Sequence, residues 1–267
     1  MPPKKILSEF VELVSVIRGD DAPRLESMLV SGIDVNGTDV LGRTLLMIAA
    51  EVGNARIVRI LLAHRAKLDT RDRLNFHDGG GKTALYRAVE HRHHEVAQIL
   101  IAAGADMEVR DKLGQTALHS AVANGDFAMT DLLLGAGASP HGSGRMGTPL
   151  STAVGMGFAD IARLLLLNGA DPNHPADSHR PVLATAVFSK KPELCRMLLD
   201  AGALANATNQ DGKTALDIVG LTVMPDRLPG GTLTSDQMFE LRGKIAAAAV
   251  IRSMLIDAEA AERTHVV

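Results

Sequence analysis

The sequence predicts an all-α solenoid, a stack of about seven helix-turn-helix units with projecting finger loops. Two separate short motifs recur along the chain at a period close to 33 residues. The composition supplies a third observation, because 46% of the residues are hydrophobic but only 3% are aromatic. An apolar fraction made mostly of Ala, Leu, Val and Ile favours closely packed helices over a β-sandwich.

The first recurring motif contains a threonine at the start of a short apolar segment. It reads GRTLLMIAAEVGN from residue 42, GKTALYRAVEHRH from 81, GQTALHSAVANGD from 114, and GKTALDIVGLT from 212. A degraded copy, RPVLATAVFSKK, begins at residue 180. The anchor positions are Thr44, Thr83, Thr116, Thr148, Pro181 and Thr214, separated by 39, 33, 32, 33 and 33 residues.

The second motif contains a glycine and reads SGIDVN, AGADME, AGASPH, NGADPN and AGALAN along the chain. Its glycine positions are Gly32, Gly104, Gly137, Gly169 and Gly202, with Arg65 in the slot after Gly32. Their spacings are 33, 39, 33, 32 and 33 residues. Because two unrelated motifs share one period and one six-residue excess, the units are structural repeats and the excess is an insertion.

Each unit carries the signals of two helices joined by a turn. The threonine is suited to cap the first helix, and Pro149 suits the first helical position. A leucine two residues after each anchor forms an inward face, together with the alanine that follows it three residues later in five of the six units. Gly53, Gly125 and Gly157 end that helix, and a second apolar helix such as ARIVRILLAH follows. One unit alone cannot bury both faces, so we expect the units to stack around a continuous core.

These motifs resemble the ankyrin repeat, whose pattern is D-x-x-G-x-T-P-L-H-x-A. The segments DKLGQTALHSA (111–121) and GTPLSTA (147–153) carry the resemblance best, and it extends from about residue 5 to 222. It implies a curved stack of helix pairs with finger loops along one edge and a concave groove that binds partners, usually proteins. Only His119 matches the histidine of the pattern, and Pro181 and Lys190 make their unit the least regular of the inner ones.

We expect residues 1–267 to form a single domain of this kind, with a capping unit at each end. Residues 1–38 form the N-terminal cap repeat, residues 39–222 the central repeats, and residues 223–267 the C-terminal capping segment. A helix is expected to begin after Ser235 or Asp236 and to end near residue 262. No apolar run reaches the length of about 18 residues that a membrane span requires.

The six-residue excess lies near residues 73–78, which read RLNFHD. It lengthens one finger loop and places Leu74 and Phe76 where an exposed tip is expected. These two apolar residues either fold back onto neighbouring loops or form an interaction loop, since insertions on one edge of a repeat protein often serve binding.

The run GGGKT at 79–83 resembles a phosphate-binding loop, but its context contradicts that interpretation. A Walker loop needs a glycine five residues before the glycine of GKT, and Phe76 occupies that position. The same GKTAL recurs at 212–216 with Ala207 five residues before its glycine. We therefore interpret GGGKT as finger-loop glycines before a capping threonine.

No cofactor, metal site or catalytic group is predicted. His91, His93 and His94 fall in one turn without a defined set of further ligands. Cys195 lies in an apolar second helix with no histidine partner placed by the repeat, so a buried thiol is expected. The chain is accordingly predicted not to be an enzyme.

The repeat register identifies the residues expected to contact a partner. We call those before or next to the threonine anchors, together with the two apolar residues of the insertion, the finger positions. They are Val40, Leu41, Arg43, Leu74, Phe76, Lys82, Lys112, Leu113, Gln115, Arg145, Met146, His179, Arg180 and Lys213. The groove positions lie at the end of each first helix. They are Glu51, Val52, Glu90, His91, Asn124, Met156 and Phe188.

The sequence therefore predicts a non-enzymatic protein-binding module, acting as an inhibitor or immunity-type protein or as an adaptor. Nearly every unit carries one finger cation, which is either simply solvated or selects a partner with an acidic surface. The alternative is a small-molecule or nucleotide sensor that uses Lys82, Lys112 and Phe188. A net charge of −3 gives no argument for binding to nucleic acid or a membrane, so neither is expected as a partner. The single cysteine favours a reducing, cytoplasmic compartment. We expect a monomer when the chain is free.

Overall fold

The computed structural model describes residues 4–73, 80–142, 144–145, 147–174, 180–223 and 235–264. Within them the chain forms fourteen helices and no strand, although isolated bridge residues occur, as in the Thr38–Thr44 pair. The helices are α1 Lys4–Arg18, α2 Ala22–Val30, α3 Leu45–Val52, α4 Ala55–Ala63, α5 Ala84–Glu90, α6 His94–Ala102, α7 Ala117–Ala123, α8 Phe127–Gly135, α9 Pro149–Met156, α10 Ala159–Leu167, α11 Val182–Phe188, α12 Pro192–Asp200, α13 Ala215–Val223 and α14 Ser235–Thr264. The predicted all-α class is confirmed.

The chain divides into two compact units, Met1–Arg145 and Met146–Val267. In the first unit, consecutive helices α1 to α8 form four antiparallel pairs, and α1, α3, α5 and α7 pack in that order. Leu46, Leu85 and Leu118 are fully buried on these first helices, as are the alanines three residues after each of them. The small alanines let neighbouring helices approach closely, so the predicted inward face is confirmed in this unit.

In the second unit α9 packs on α11 and α11 on α13, while α10 packs on α12. The long helix α14 begins at Ser235, where a helix start was expected, and packs on α12 and α13. It buries Ala248, Ile251 and Leu255 along one face. No helix in the described ranges is both long and apolar enough to cross a bilayer. The division of the chain into caps and central repeats stays a prediction.

The threonine anchors cap the first helices as the sequence predicts. The hydroxyl oxygens of Thr44, Thr83 and Thr148 accept hydrogen bonds at 3.2, 3.3 and 3.1 Å from the backbone N–H three residues later. Each such bond satisfies one of the amide groups left without a partner at a helix start. Pro181 occupies the same position before α11 and has no side-chain hydrogen bond, so this helix lacks the side-chain cap.

The residue three positions after each anchor differs from repeat to repeat. In several repeats its side chain nevertheless accepts the same hydrogen bond, from the backbone N–H of the anchor. The Nδ1 atom of His119 accepts from the backbone N–H of Thr116 at 3.1 Å, and its Nε2 lies 2.9 Å from the carbonyl oxygen of Gly142. In the last repeat Asp217 replaces the histidine and accepts a hydrogen bond from the backbone N–H of Thr214 at 2.8 Å. That bond lowers the pKa of Asp217 below its usual value.

Loops of successive units are joined by a ladder of hydrogen bonds that the sequence analysis did not anticipate. In four of these bonds a side-chain oxygen of one loop accepts from a backbone N–H of the next, as in the Glu108–Ser139 pair at 2.8 Å. The other bonds join Asn36 to Lys67, Asp69 to Asp106, Asn173 to Leu204, and, from helix α14, Glu262 to Ala205. These bonds satisfy loop amide groups and fix the finger loops relative to their neighbours within each unit.

Four described residues with side chains adopt the left-handed backbone conformation that glycine has at the equivalent positions of other repeats. Arg65 fills the second glycine slot with a φ of 64°. Asp20, Arg92 and Lys190 fill the helix-ending slot with φ values of 54°, 60° and 55°, where Gly157 of a neighbouring repeat has a φ of 77°. Because a Cβ atom clashes with the backbone in this conformation, all four residues store strain.

We expect the substitution Lys190→Gly to stabilise the chain by about 0.5–1 kcal/mol, since it removes that strain. Arg163→Gly is the matched control, because Arg163 is exposed inside α10 and glycine there costs about 1 kcal/mol. Chemical denaturation followed by circular dichroism measures both. Destabilisation of Lys190→Gly to the level of the control would contradict the prediction.

The single cysteine is buried in α12, as expected. Cys195 has no exposed surface, and burial raises the pKa of its thiol to about 12. Burial therefore disfavours the thiolate form that nucleophilic chemistry requires.

Candidate functional site

The finger loops are held by one local arrangement, in which a single acceptor side chain binds two backbone N–H groups. The Oδ1 atom of Asp39 accepts from Leu41 and Arg43 at 2.9 Å each. Asp111 does the same with Leu113 and Gln115 at 2.8 Å each. Asp39 and Asp111 therefore cap the turns of their fingers, and Asn209 takes this role in the last finger, where the corresponding residue is an amide.

The finger loop of the third repeat, which we call the third finger, contains the insertion. Asp72 donates its backbone N–H to the carbonyl oxygen of Lys82, and its Oδ1 accepts from the N–H of Gly81 at 2.6 Å. Asp39 makes the equivalent backbone bond to Arg43, four residues later, so six extra residues separate the two ends of this finger. Asp78 stands five residues before Thr83, as Asp39 stands before Thr44, but it lies outside the described residues. Asp72 fills the capping role in this finger.

Backbone hydrogen bonds tie neighbouring fingers of the first unit together. The carbonyl oxygen of Leu41 accepts from Arg73, that of Gly80 from Lys112, and that of Leu113 from Arg145, at 2.6, 2.7 and 2.8 Å. The tips are therefore supported by their own main chain. These bonds do not use the side chains of the tips.

Two residues of the GGGKT run, Gly81 and Lys82, point their backbone amides at a carboxylate of the chain itself. The amide of Gly81 donates to Asp72, and the amide of Lys82 lies 3.4 Å from the same Oδ1 atom. The Lys82 ammonium group pairs with Glu90 at 2.6 Å and lies 5.1 Å from the centre of the Tyr86 ring. A carboxylate thus occupies the position that a phosphate would need. This geometry supports the capping interpretation of GGGKT.

Asp72 and Lys82 belong to a buried polar network of the third repeat that also contains Tyr86, Arg87 and Glu90. Arg87 binds the Oδ2 atom of Asp72 at 2.7 Å and lies 3.5 Å from Glu90. Burial, followed by the negative charges of Asp111 and Glu90, raises the pKa of Tyr86. We call these five residues the third-repeat network.

The structure corrects two of the predicted finger positions. Only 8% of Lys82 and 9% of Gln115 is exposed. Lys82 is turned to Glu90, and the side chain of Gln115 lies against the backbone of Gly144. The row of exposed cations predicted from the sequence is therefore interrupted at Lys82.

The other described finger positions of the first unit are at the surface to different degrees. Val40, Leu41, Lys112 and Arg145 are exposed, and Leu113 is half-buried. The remaining cation, Arg43, is half-buried because its guanidinium pairs with Asp39 at 2.8 Å and lies 4.0 Å from Glu51. Internal pairing thus reduces the positive charge that Arg43 can offer to a partner.

The groove positions of the first unit are more constrained than the sequence suggested. Val52 and His91 are exposed, while Glu51, Glu90 and Asn124 are half-buried. The amide of Asn124 donates to the carbonyl oxygen of Glu90 at 3.1 Å, so this side chain serves the turn beside it. Glu90 itself is held by Lys82 and Arg87.

In the second unit, two of the predicted positions carry large exposed apolar side chains. Met156 is 53% exposed at the end of α9, and Phe188 is 64% exposed at the end of α11, which packs beside α9. The Arg180 guanidinium lies 5.9 Å from the centre of the Phe188 ring. Lys213 is exposed on the last finger. Leu74, Phe76, Met146 and His179 lie outside the described residues.

The histidines of the EHRHHE segment serve the turn between α5 and α6. His93 binds the carbonyl oxygen of Glu51 at 3.0 Å, and His94 lies 3.0 Å from Asp126, which caps α8. The rings of His91 and His93 stack with their centres 6.1 Å apart. Among the described residues, no group of three or more histidine, cysteine, aspartate or glutamate side chains could hold a metal ion.

Comparison with known proteins identifies the fold. Residues 13–111 and 100–176 match the family model described as ankyrin repeats in three copies. The chain belongs to the ankyrin repeat family. Over 152 residues, 56% of its length, it is 34% identical to the nuclear factor NF-kappa-B p105 subunit of Gallus gallus, and it spans 15% of that protein.

Solved structures agree with this assignment. The ankyrin repeat domain of Bcl-3, described as a unique member of the IkappaB protein family, matches with a TM-score of 0.69 and 24% identity, covering 86% of this chain and 96% of that one. The human ASB11 ankyrin repeat domain matches with a TM-score of 0.65 and 22% identity, covering 88% and 96%. At these identities the likeness shows the fold, an ankyrin-repeat solenoid.

Two features of the site were missed in the sequence. The first is the third-repeat network, whose only sequence signal was the pair Lys82 and Arg87 beside an acidic Glu90. The second is Asp72, whose signal was the recurrence of an acidic or amide residue ahead of each finger. The insertion hid that recurrence because it moved Asp72 away from its anchor.

Proposed function

We propose that this ankyrin repeat chain is a non-enzymatic module that binds a partner protein through its finger and groove positions. Binding other proteins is what ankyrin repeat domains do as a class. The observation that supports the specific surface is the exposure of large apolar side chains at Val52, Met156 and Phe188. Exposed apolar groups next to charged residues are typical of the anchors that dominate protein interfaces.

The finger loops support this function because their backbones are fixed before binding. The turn caps and backbone bonds between fingers mean that little conformational freedom is lost when a partner docks. We therefore expect association with small backbone change.

The finer forms of the function remain those given by the sequence, an inhibitor or immunity-type protein or an adaptor. The likeness to the NF-kappa-B p105 subunit and to a member of the IkappaB family supports the inhibitor form. A partner with an acidic surface is supported by the exposed cations Lys112, Arg145, Arg180 and Lys213. The single cysteine is the basis for expecting a reducing, cytoplasmic compartment.

The structure gives the nucleotide-sensor alternative no favourable observation. That alternative required Lys82 as a phosphate contact, and Lys82 is buried against Glu90.

Affinity capture from the source cell with the wild-type chain and with Met156→Ser/Phe188→Ser tests the proposal. Loss of these two anchors is expected to weaken capture of the specific partner by at least about tenfold. Leu167→Ser is the control, because Leu167 is 79% exposed but lies on the second helix of its unit. Equal capture by all three baits would refute the groove assignment, and no saturable partner for the wild-type chain would refute the function.

A further inference from the structure

A cavity of about 320 Å³ opens at the finger loops of the second unit. Its described lining includes Asn173, His174, Arg180, Leu204, Thr208 and Gln210. We call it the Arg180 pocket. It adjoins Phe188, since Arg180 both lines the cavity and lies against that ring. The pocket therefore extends the exposed apolar surface of α11 towards the fingers.

Arg180 carries the only formal charge among the described residues that line this pocket, counting histidine as neutral. Its guanidinium forms no ion pair with a carboxylate within the described chain, in contrast to Arg43 and Arg87. A guanidinium that lies against an aromatic ring keeps the N–H groups in its plane available, and these match the two oxygens of a carboxylate. The pocket thus presents an oriented positive charge without a counterpart.

The other lining groups divide into fixed and available ones. The amide of Asn173 is occupied, since it binds the carbonyl oxygen of Gly202 and the N–H of Leu204 at 2.8 Å each. His174, Thr208 and Gln210 bring polar side chains that form no hydrogen bond to another described side chain or backbone group. These groups can donate to an anion beside Arg180, while the exposed side chain of Leu204 provides an apolar wall.

We infer that the Arg180 pocket receives an aspartate or glutamate side chain of the partner polypeptide, followed or preceded by an apolar residue that covers Phe188 and Leu204. This inference rests on the protein-binding function proposed above and specifies the chemistry of the partner. A carboxylate complements the positive charge of Arg180. The exposed side chains of Phe188 and Leu204 beside it favour a polypeptide over a free anion, because a polypeptide also brings apolar groups that cover them.

Short random peptides displayed on phage and selected on the full chain provide the test. Enriched peptides are resynthesised in pairs, one with its carboxylate and one with asparagine or glutamine in its place. For the wild-type chain, fluorescence polarisation is expected to show about tenfold weaker binding of the amide twin. Arg180→Gln is expected to bind both twins equally, and Arg163→Gln, exposed on α10, to keep the preference.

Leu204→Glu gives a second and independent readout, because it places a carboxylate of the chain in the same pocket. We expect it to lose peptide binding while its circular dichroism spectrum stays that of the wild type. An unchanged twin preference in Arg180→Gln would overturn the inference and leave the binding function standing. Free glutarate binding as tightly as the peptides would also overturn it, whereas failure of any peptide to bind the wild-type chain would count against both proposals.

Discussion

Leu118→Asp is expected to unfold the centre of the first unit, with a loss of more than about 4 kcal/mol. Leu118 is fully buried on α7, a helix that packs on α5 of the preceding repeat and on α8 of its own. An aspartate there either stays charged without a partner or takes up a proton at a comparable cost, and it also leaves a void. Since repeat proteins depend on contacts between neighbours, damage to one interface also weakens the units beside it.

Urea titration followed by circular dichroism, with native-state hydrogen exchange to locate the damage, measures this loss. Val40→Asp introduces the same side chain at an exposed finger position and should change stability by no more than about 0.5 kcal/mol. A wild-type midpoint for Leu118→Asp would be incompatible with the stacked core described above.

Asp72→Ala is expected to cost about 3–5 kcal/mol, because it leaves Arg87 buried without its main partner. The Asp72 side chain is completely shielded from solvent, pairs with Arg87 at 2.7 Å and accepts the amide of Gly81 at 2.6 Å. Its removal therefore breaks both the third-repeat network and the turn that closes the inserted finger. Glu90, at 3.5 Å from Arg87 and already paired with Lys82, compensates for only part of the lost charge.

The exposed Arg59–Glu95 pair is the matched control, since its partners lie 2.9 Å apart but face solvent. Glu95→Ala should cost less than about 1 kcal/mol in the same titration. Adding Arg87→Met to Asp72→Ala should recover part of the loss, because it removes the unpaired charge. Equal effects of Asp72→Ala and Glu95→Ala would show that burial of the network contributes little.

The helices could be predicted because their signals are local and repeat. Thr44, Thr83 and Thr148 cap helices through bonds that span three residues, so a short motif contains both partners of each bond. The start of α14 at Ser235 follows from the same reasoning. The binding residues were harder to predict, since exposure depends on what lies beside a side chain in space.

Lys82 illustrates that difference. Its register matched the exposed cations of other fingers, yet Asp72, ten residues earlier, and Glu90, eight residues later, surround it with negative charge. The insertion disguised Asp72, and no local pattern distinguishes a paired lysine from a solvated one. The same limitation applies to Gln115, which the approach of Gly144 covers.

By itself the sequence determined the family, the helix pairs, their caps and the place of the insertion, because these depend on periodic apolar positions and on hydrogen bonds between near neighbours in the chain. The tertiary structure alone decided which finger cations are neutralised, that Asp72 closes the third finger, and that Arg180 stands over Phe188 at the mouth of a pocket. Electrostatic pairing and burial depend on distances across the fold, which the order of residues does not give.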